Sequence, residues 1–376
     1  MYAVGNDIES FIEEFAPLEW ALDGDPSGIQ WGDLKRETKV VLIALDFSEE
    51  VLEEALQLGA SFVFTHHPYL FHPLRRIDLA NRREALVARA LKEGITLYAA
   101  HTNLDVAPKG VSQALGDLFE LKEMKILCPT GREELEKLVV FVPQGYEDPV
   151  RSALAGAGAG FLGNYSHCTF QVAGTGTFLP EKGASPFIGR RGNLEKVAEY
   201  RLETVYPRRI RNSVLDALFT AHPYEEVAYD VYALKNEGQV WGLGRFGAFE
   251  KPLSLKELVK RCRELFGPVP LKVSGDPEKT VARAAVLGGS GSEYISYALR
   301  SGVDVFISGD IKYHDAQEAA LSGLAVIDAG HEVTERPVLP VIGEFLSKKM
   351  AEAGLGTKVV VSRKESSPWQ LLGYPD

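Results

Sequence analysis

Five side chains with the chemistry of metal ligands follow predicted strands at three places in the chain. His66 and His67 lie in FVFTHHP, Asp105 lies in LYAAHTNLD, and His331 and Glu335 lie in AVIDAGHEVTE. Imidazole and carboxylate groups together are the ligands that hydrolytic divalent metals accept. In open α/β sheets, functional sites lie outside the carboxyl ends of the strands. The sequence therefore predicts a metal site that draws on all three segments.

The two adjacent histidines favour two ions over one. Neighbouring side chains of an extended strand point to opposite faces, so His66 and His67 can share one ion only if the chain turns there. Pro68 favours extended geometry at His67. A carboxylate can bridge two ions, which makes Glu335, Asp105 or both the natural bridging groups. Ions roughly 3.5 to 4 Å apart could then activate a water molecule between them.

His331 and Glu335 are four residues apart, a spacing that stacks two side chains on one helix face. Pro337 instead favours a helix that starts near Thr334. Either way, both side chains lie in one strand-to-helix turn. The structural alternatives are a turn residue for Asp105, a first-turn acid for Glu335 and surface histidines at a strand end.

Further polar residues follow the same predicted strands. We assign them to proton transfer or to positions that hydrogen-bond to the ligands from outside. The alternative is that they are ordinary polar residues whose hydrogen bonds are completed at the strand ends. The residues are His101, Thr102, Asp310 and His314. Four basic residues could meet a phosphate, although a solvated surface role is their default. They are Arg75, Lys109, Lys312 and Arg336.

The elements that must position these side chains alternate between strand and helix. In the first third, the predicted strands are VVLIALD, FVFTHHP and ITLYAAHT, and the helices between them are capped by Ser48 and Asn81. The last third repeats this plan with AAVLGGSGS, VDVFISGD and AVIDAGHE. We therefore predict a pseudo-duplicated α/β core with mostly parallel sheets, and a site between its halves.

Residues 131–237 break the alternation. Their predicted order is β-α-β-β-α-β, the ferredoxin-like α+β pattern, over about 100 residues, which is an ordinary domain size. We expect a domain inserted into the core. The predicted segments are 1–128 and 238–376 for the two halves of the core, and 129–237 for the inserted domain.

Composition excludes several classes of partner. The formal net charge of -11 disfavours nucleic acid or an anionic membrane. The three cysteines are scattered and form no CxxC, which argues against a disulfide framework or a thiolate metal site. The acidic N-terminus does not resemble a signal peptide, and no stretch reaches the roughly 18 apolar residues of a spanning helix. These features predict a cytoplasmic protein.

The chain resembles the NIF-three-like family, whose members are often labelled GTP cyclohydrolase I type 2 homologues. The resemblance is carried on both sides of the insert by THHPYLFHPL, AAHTNLDVAPKGVSQALGDLFEL, GGSGSEYISYALRSGVDVFISGDIKYHDAQEA and DAGHEVTE. DPSGIQWG departs from the family pattern, which usually has Asp-Asn where this chain has Asp25 and Pro26. AHPYEEVAYDVY is similar to the PII-like or CutA-like insert of long bacterial members.

The resemblance implies a ligand set for two divalent ions per subunit, which are zinc, iron or manganese, in a toroidal homohexamer. The implied ligands are His66, His67, Asp105, His331 and Glu335. The family label implies GTP cyclohydrolase chemistry, in which metal-activated water opens the imidazole ring of guanine and formate leaves, with His101 or His314 as proton donor. One alternative is a dinuclear phosphoesterase or amidohydrolase. Another is a metal-handling or regulatory hexamer without turnover, whose insert senses a small molecule.

Overall fold

The computed structural model describes residues 1–364 and 367–369 of the 376-residue chain. The chain divides into two compact units. Residues 1–131 and the chain from Trp241 onward form one unit, here called the core, and Arg132–Val240 form the other, here called the insert. The sequence analysis placed the domain boundaries at 128/129 and 237/238, and these boundaries stay a prediction. The last predicted segment, 238–376, ends outside the described residues.

Short strands and helices alternate in the first half of the core. The elements are β1 (Ala3–Val4), α1 (Gly5–Phe15), a 3₁₀ helix (Leu18–Trp20), β2 (Gly28–Trp31), β3 (Glu37–Thr38), β4 (Val40–Ala44), α2 (Glu49–Leu58), β5 (Phe62–Thr65), α3 (Arg82–Lys92), β6 (Thr96–Ala99), α4 (Thr102–Val106), α5 (Val111–Leu118) and β7 (Lys122–Arg132). The side chains of Ser48 and Asn81 accept backbone N–H groups at the starts of α2 and α3, as their cap positions predict.

The insert has the predicted β-α-β-β-α-β order. Its elements are β8 (Leu135–Pro143), α6 (Glu147–Gly156), β9 (Thr169–Phe178), β10 (Glu195–Pro207), a 3₁₀ helix (Arg208–Ile210), α7 (Arg211–Ala221) and β11 (Tyr229–Ala233). The four strands form an antiparallel sheet in the order β11-β8-β10-β9. Both helices pack on one face, where Val140 and Leu202 of the sheet share a buried cluster with Val150 and Leu218 of the helices. This is a ferredoxin-like α+β arrangement.

The second half of the core returns to alternating strands and helices. Its elements are β12 (Val240–Ser254), α8 (Leu255–Phe266), β13 (Lys272–Ser274), β14 (Thr280–Ser290), a 3₁₀ helix (Ser292–Tyr294), α9 (Ile295–Ser301), β15 (Val305–Gly309), α10 (Tyr313–Leu321), β16 (Ala325–Asp328), α11 (His331–Glu335), α12 (Val338–Glu352) and β17 (Lys358–Val361). Within the described part of the chain, every helix is too short or too polar to cross a bilayer.

The core contains two large sheets, with four neighbouring parallel strands in the first and three in the second. The first sheet has the order β17-β4-β5-β6-β2, and only β2 runs antiparallel to its neighbour. The second has the order β13-β16-β15-β14-β12-β7, in which β13 and β12 are antiparallel to the parallel group β14 to β16. The predicted α/β class is confirmed, but both sheets are mixed because antiparallel strands border the parallel ones.

The central strands are buried on both faces, which explains their continuous apolar runs. Ile43 and Phe64 point into a cluster that includes Ile8 of α1 and Ile342 of α12. Alternate residues such as Leu42 and Val63 pack on the other side, with residues of α2 and α3. The sheet is therefore fixed from both sides, and the carboxyl ends of its strands are held in constant positions.

Candidate metal centre

The five predicted ligands lie where the parallel strands end. β5 stops at Thr65, directly before His66 and His67. Asp105 lies in α4, the short helix after β6, while His331 and Glu335 are the first and last residues of α11, after β16. The first sheet therefore contributes three of these side chains and the second sheet contributes two.

Glu335 is the central residue of this cluster. Its Oε1 atom lies 3.1 Å from Nε2 of His331 and 3.6 Å from Nε2 of His66, and its Oε2 atom lies 3.0 Å from Nε2 of His67. Asp105 Oδ1 lies 3.5 Å from Nε2 of His66. The potential donor atoms form three overlapping groups, each with all atoms within 4.8 Å of one another: His66, Asp105 and Glu335; His67, His331 and Glu335; and His66, His67 and His101.

Buried atoms without hydrogen bonds show that these residues fit a metal ion. Among the described residues, four atoms of the cluster are buried and lack a hydrogen-bond partner: His66 Nε2, His67 Nε2, Asp105 Oδ1 and Glu335 Oε2. A buried polar atom without a partner costs free energy, so native proteins rarely leave several together. Nitrogen and carboxylate lone pairs directed at a common space would be satisfied by a divalent cation.

Each of the three histidines that flank Glu335 is fixed through its Nδ1 atom. His66 Nδ1 lies 2.9 Å from the carbonyl oxygen of Ala100. His67 Nδ1 lies 2.8 Å from Asp46 Oδ1, and His331 Nδ1 lies 2.7 Å from Asp310 Oδ2. In the neutral ring, an Nδ1–H donates these bonds and the Nε2 lone pair faces the cluster, which is the usual state of a metal-binding histidine.

Charge in the cluster shifts the pKa values of its members. Burial opposes protonation of His67, but its contacts with the carboxylates of Asp46 and Glu335 raise its pKa to about 10. The contact with the Glu335 carboxylate raises the pKa of His331 to about 9, against the effect of burial. Burial favours the neutral form of Glu335, yet the neighbouring imidazoles of His331 and His66 hold its pKa well below the ordinary value. Protons therefore compete with a cation for these sites.

The backbone around the ligands differs from the sequence expectation at one helix. The predicted helix start near Thr334 is wrong, because α11 runs from His331 to Glu335 and stacks the two side chains on one face. Pro337 does not disturb this turn, because it lies outside α11 and occupies the N-cap position of α12. At the other histidines, the chain leaves the strand at Thr65, and the rings of His66 and His67 lie with centroids 5.0 Å apart.

His101 joins the cluster together with a carboxylate that the sequence analysis did not single out. Its Nδ1 atom lies 2.6 Å from Asp25 Oδ2. Although burial opposes ionisation, hydrogen bonds from His101 and Ser27 lower the pKa of Asp25 to about 2. Ser27 also accepts the backbone N–H of His101. The DPSG loop, where the chain departs from the family pattern, therefore anchors His101.

The structure places the remaining predicted polar residues differently. Asp310 contacts His331, as an outer group would, whereas Thr102 accepts the backbone N–H of Leu22. His314 is exposed on α10 and belongs to none of the three groups found among the described residues. The four basic residues are all exposed: Arg75, Lys109, Lys312 and Arg336.

Two further residues of the site were missed. Asp46, which orients His67, ends the VVLIALD segment, and a carboxylate after a buried strand was the available signal. Gly289 of β14 leaves room for Glu335, because a Cβ atom there would overlap Oε1 of that residue. Its φ of +75° is also a conformation that glycine adopts readily. The GGSGS run was the signal for this close approach.

The whole chain matches known proteins. Residues 3–368 match the family Duf34/NIF3 (NGG1p interacting factor 3). Proteins named GTP cyclohydrolase 1 type 2 homolog are 41% identical in Halalkalibacterium halodurans, over 98% of this chain and 99% of that protein, and 40% identical in Bacillus subtilis, over 98% of each. The crystal structure of a Bacillus cereus protein related to NIF3 has a TM-score of 0.92 and 40% identity, over 99% of this chain and 100% of that one. The chain therefore belongs to the Duf34/NIF3 family.

Proposed function

We propose that the cluster holds two divalent metal ions, zinc, iron or manganese, and that the protein is a metal-dependent hydrolase of the GTP cyclohydrolase type 2 kind. The observation that carries the proposal is the position of Glu335, which belongs to two of the three groups of potential ligands. One ion would be held by His67, His331 and Glu335, and the other by His66, Asp105 and Glu335. The Glu335 carboxylate contacts His67 and His331 of the first set and His66 of the second, so it could contribute to both.

The chemistry of such a site is electrophilic. Paired divalent ions supply Lewis acidity and lower the pKa of a coordinated water. Asp46, Asp310 and the carbonyl of Ala100 hold the three imidazoles so that Nε2 faces inward. This pre-orientation limits the reorganisation that ligand binding requires.

His101 is the group best placed to move a proton. Asp25 holds its Nδ1 atom, which leaves Nε2 free to exchange a proton with a substrate or a water molecule. Its ring centroid lies 5.4 Å from that of His66 and 5.8 Å from that of His67. We therefore assign proton transfer to His101 and orientation of His331 to Asp310. The substrate is a nucleotide, as the names of the relatives suggest.

Assembly and the kind of insert belong to the same proposal. Family membership supports a toroidal homohexamer, and the ferredoxin-like topology of the insert supports a PII-like or CutA-like domain. Light scattering during size-exclusion chromatography is expected to give a molar mass of about six times the chain mass of 41.2 kDa. A monomer or dimer would contradict the assembly without affecting the metal site.

The test combines metal analysis with an activity screen. Protein purified without chelator is analysed for bound metal, then assayed for formate release from GTP and for hydrolysis of a phosphoester panel. We expect two ions per chain and formate release. Glu335→Gln should lower activity by at least about a hundredfold, since it removes a shared ligand. Glu332→Gln, on the same helix but outside all three groups, should retain activity and metal.

The outcomes separate the alternatives. One ion per chain, or none, would contradict the dinuclear centre. Two ions with phosphoester hydrolysis alone would replace the cyclohydrolase assignment by a phosphoesterase. Two ions without turnover on any of these substrates would overturn the hydrolase and favour the metal-handling assembly.

A further inference from the structure

We infer that the insert binds a planar, positively charged small molecule on the open face of its sheet, with the Glu199 carboxylate as the group that recognises the charge. The site is formed by residues of the insert alone. It shares no residue with the metal cluster, so it does not depend on the proposed hydrolase.

A cavity of about 630 Å³ lies on the face of the sheet opposite the two helices. On β10, Leu202 packs towards the helices, so the odd-numbered neighbours Glu199 and Arg201 point to the other face. In the register of β10 and β9, Glu199 pairs with Gly174. The glycines of β9 add no side chains, which gives the cavity its depth. Its volume falls within the range of roughly 300 to 1,000 Å³ that is typical of small-molecule sites.

Glu199 is a buried carboxylate with little compensation for its charge. The residue is only 6% exposed, and the Tyr224 hydroxyl donates a hydrogen bond to its Oε1 atom at 3.0 Å. Within the described part of the chain, no lysine, arginine or histidine forms an ion pair with it; Arg201 pairs with Glu203 instead. A buried anion without a cationic partner is costly. A cationic ligand would supply that partner.

Aromatic rings and a fixed loop form the walls. The rings of Phe178 and Phe187 lie 6.1 and 6.3 Å from that of Tyr224. The loop between β9 and β10 carries Phe187 and is held in place where the Ser185 N–H donates to Glu225 Oε1 at 2.6 Å. Flat apolar surfaces beside a single buried charge suit a flat cation, since aromatic faces attract both planar rings and positive charge.

These features define the ligand class as an aromatic amidine, amine or protonated nitrogen heterocycle. Its N–H groups would donate to Glu199, in the manner of a planar guanidinium on a carboxylate. Its ring would lie against the aromatic wall. Three carboxylates, those of Glu199, Glu225 and Glu226, line the cavity against one basic side chain, Arg201, so the net charge of the lining is negative and disfavours an anion.

The experiment uses benzamidine as the probe and benzoate as its anionic counterpart of similar shape. Binding to the full-length protein is measured by titration calorimetry. We expect benzamidine to bind and benzoate to bind at least about tenfold more weakly. Glu199→Gln keeps a hydrogen-bonding side chain but removes the charge, and should weaken benzamidine binding by about tenfold or more. Asp216→Asn, an exposed carboxylate on α7 and outside the cavity, is the matched control and should bind normally.

A second variant tests the place of binding without touching the charge. No described atom lies within 4 Å of a Cβ atom built at Gly174, so the side chain of Gly174→Leu starts in open space and extends into the cavity. It should abolish benzamidine binding while thermal unfolding stays cooperative. Gly156→Leu in α6, where a Cβ atom also meets nothing within 4 Å, should leave binding unchanged.

Three results would overturn the inference. They are no binding of benzamidine to the intact protein, equal binding of benzoate, or unchanged benzamidine affinity in both Glu199→Gln and Gly174→Leu. If Gly174→Leu instead changes the oligomeric state and benzamidine does not bind, the face is an interface between copies of the chain, and the ligand site is wrong.

Discussion

The chemistry of the cluster depends on which nitrogen atom each histidine presents. Three rings are fixed at Nδ1 by a carbonyl or a carboxylate, and all three present Nε2 to Glu335. The sequence singled out five candidate ligands by residue type and by their positions after strands. Asp46 carried a signal, a carboxylate after a buried strand, but its pairing with His67 and that of Asp25 with His101 join residues that are far apart in sequence, and only the folded chain brings such residues together.

Metal uptake should release protons. In the metal-free protein, His67 with a pKa of about 10 and His331 with a pKa of about 9 are protonated at neutral pH. A cation must displace these protons, so binding at pH 7 should release about two protons per chain, and apparent affinity should rise with pH. Calorimetry in buffers of different ionisation enthalpy measures this number. Heats that do not depend on the buffer would contradict the prediction.

The same pKa values predict how the stability of the metal-free protein depends on pH. Both histidines have folded-state pKa values above the unfolded value of 6.5. Their stabilising contribution is therefore complete below pH 6.5 and is lost as pH rises through about 9 and 10. The chelated protein should melt at a lower temperature at pH 9.5 than at pH 6.5. His67→Gln should reduce this difference, and an unchanged difference would show that His67 is not its source.

Asp46 should tune metal affinity although it is not itself a ligand. Asp46→Asn weakens the hydrogen bond to His67 Nδ1 and removes a charge that orients the ring. We expect metal affinity to fall by about tenfold to a hundredfold, measured by competition with a chromogenic chelator. Asp230→Asn on β11, an exposed aspartate of the insert, is the control and should bind metal normally. Equal affinities in the two variants would count against the role of Asp46.

Among the elements, the buried parallel strands were predictable and the short helix was not. β4, β5 and β6 show as apolar runs because both of their faces are covered. α11 spans only five residues, too few for a helical period to appear, and Pro337 pointed to a later start. The stacking of His331 on Glu335 therefore emerged only from the structure. β14 also shapes the candidate site, because Gly289 leaves room for the Glu335 carboxylate to approach this strand.

Gly289→Ala should remove metal binding without unfolding the core. The added Cβ atom would overlap Glu335 Oε1 and would displace that carboxylate. The matched control is Gly302→Ala at the end of α9, which has a similar positive φ but no described atom within 3.4 Å of the added Cβ. Both should lose about 1 kcal/mol of stability from backbone strain. Only Gly289→Ala should lose metal, as measured by elemental analysis.

At the scale of the whole molecule, all five predicted ligands belong to the core. β7 and β12, which lead to and from the insert, are neighbours in one sheet, and Gly131 lies next to Trp241. The change from alternating strands and helices to β-α-β-β-α-β order is the signal from which the sequence analysis predicted an insert at residues 129–237. The cavity on its sheet was not predicted, because it depends on cross-strand register and on the β9–β10 loop.

Removal of the insert should leave the metal centre intact. Replacing Arg132–Val240 by a short glycine-containing turn joins two strand ends that already lie side by side. We expect the shortened protein to fold and to bind the same number of ions per chain as the intact protein. Circular dichroism and elemental analysis check the two expectations. Loss of metal from a folded variant would show that the insert supplies a ligand, with His167 and His222 as the first candidates.

The order of the ligands along the chain has a consequence for biosynthesis. His66, His67 and Asp105 leave the ribosome before the insert, while His331 and Glu335 emerge after it. At roughly 5 to 20 residues per second, the nascent polypeptide spends many seconds with an incomplete set of ligands. Because Glu335 arrives last and contacts all three histidines, cations that meet the growing polypeptide find only part of their binding site. The five side chains can therefore come together only after α11 has been synthesised.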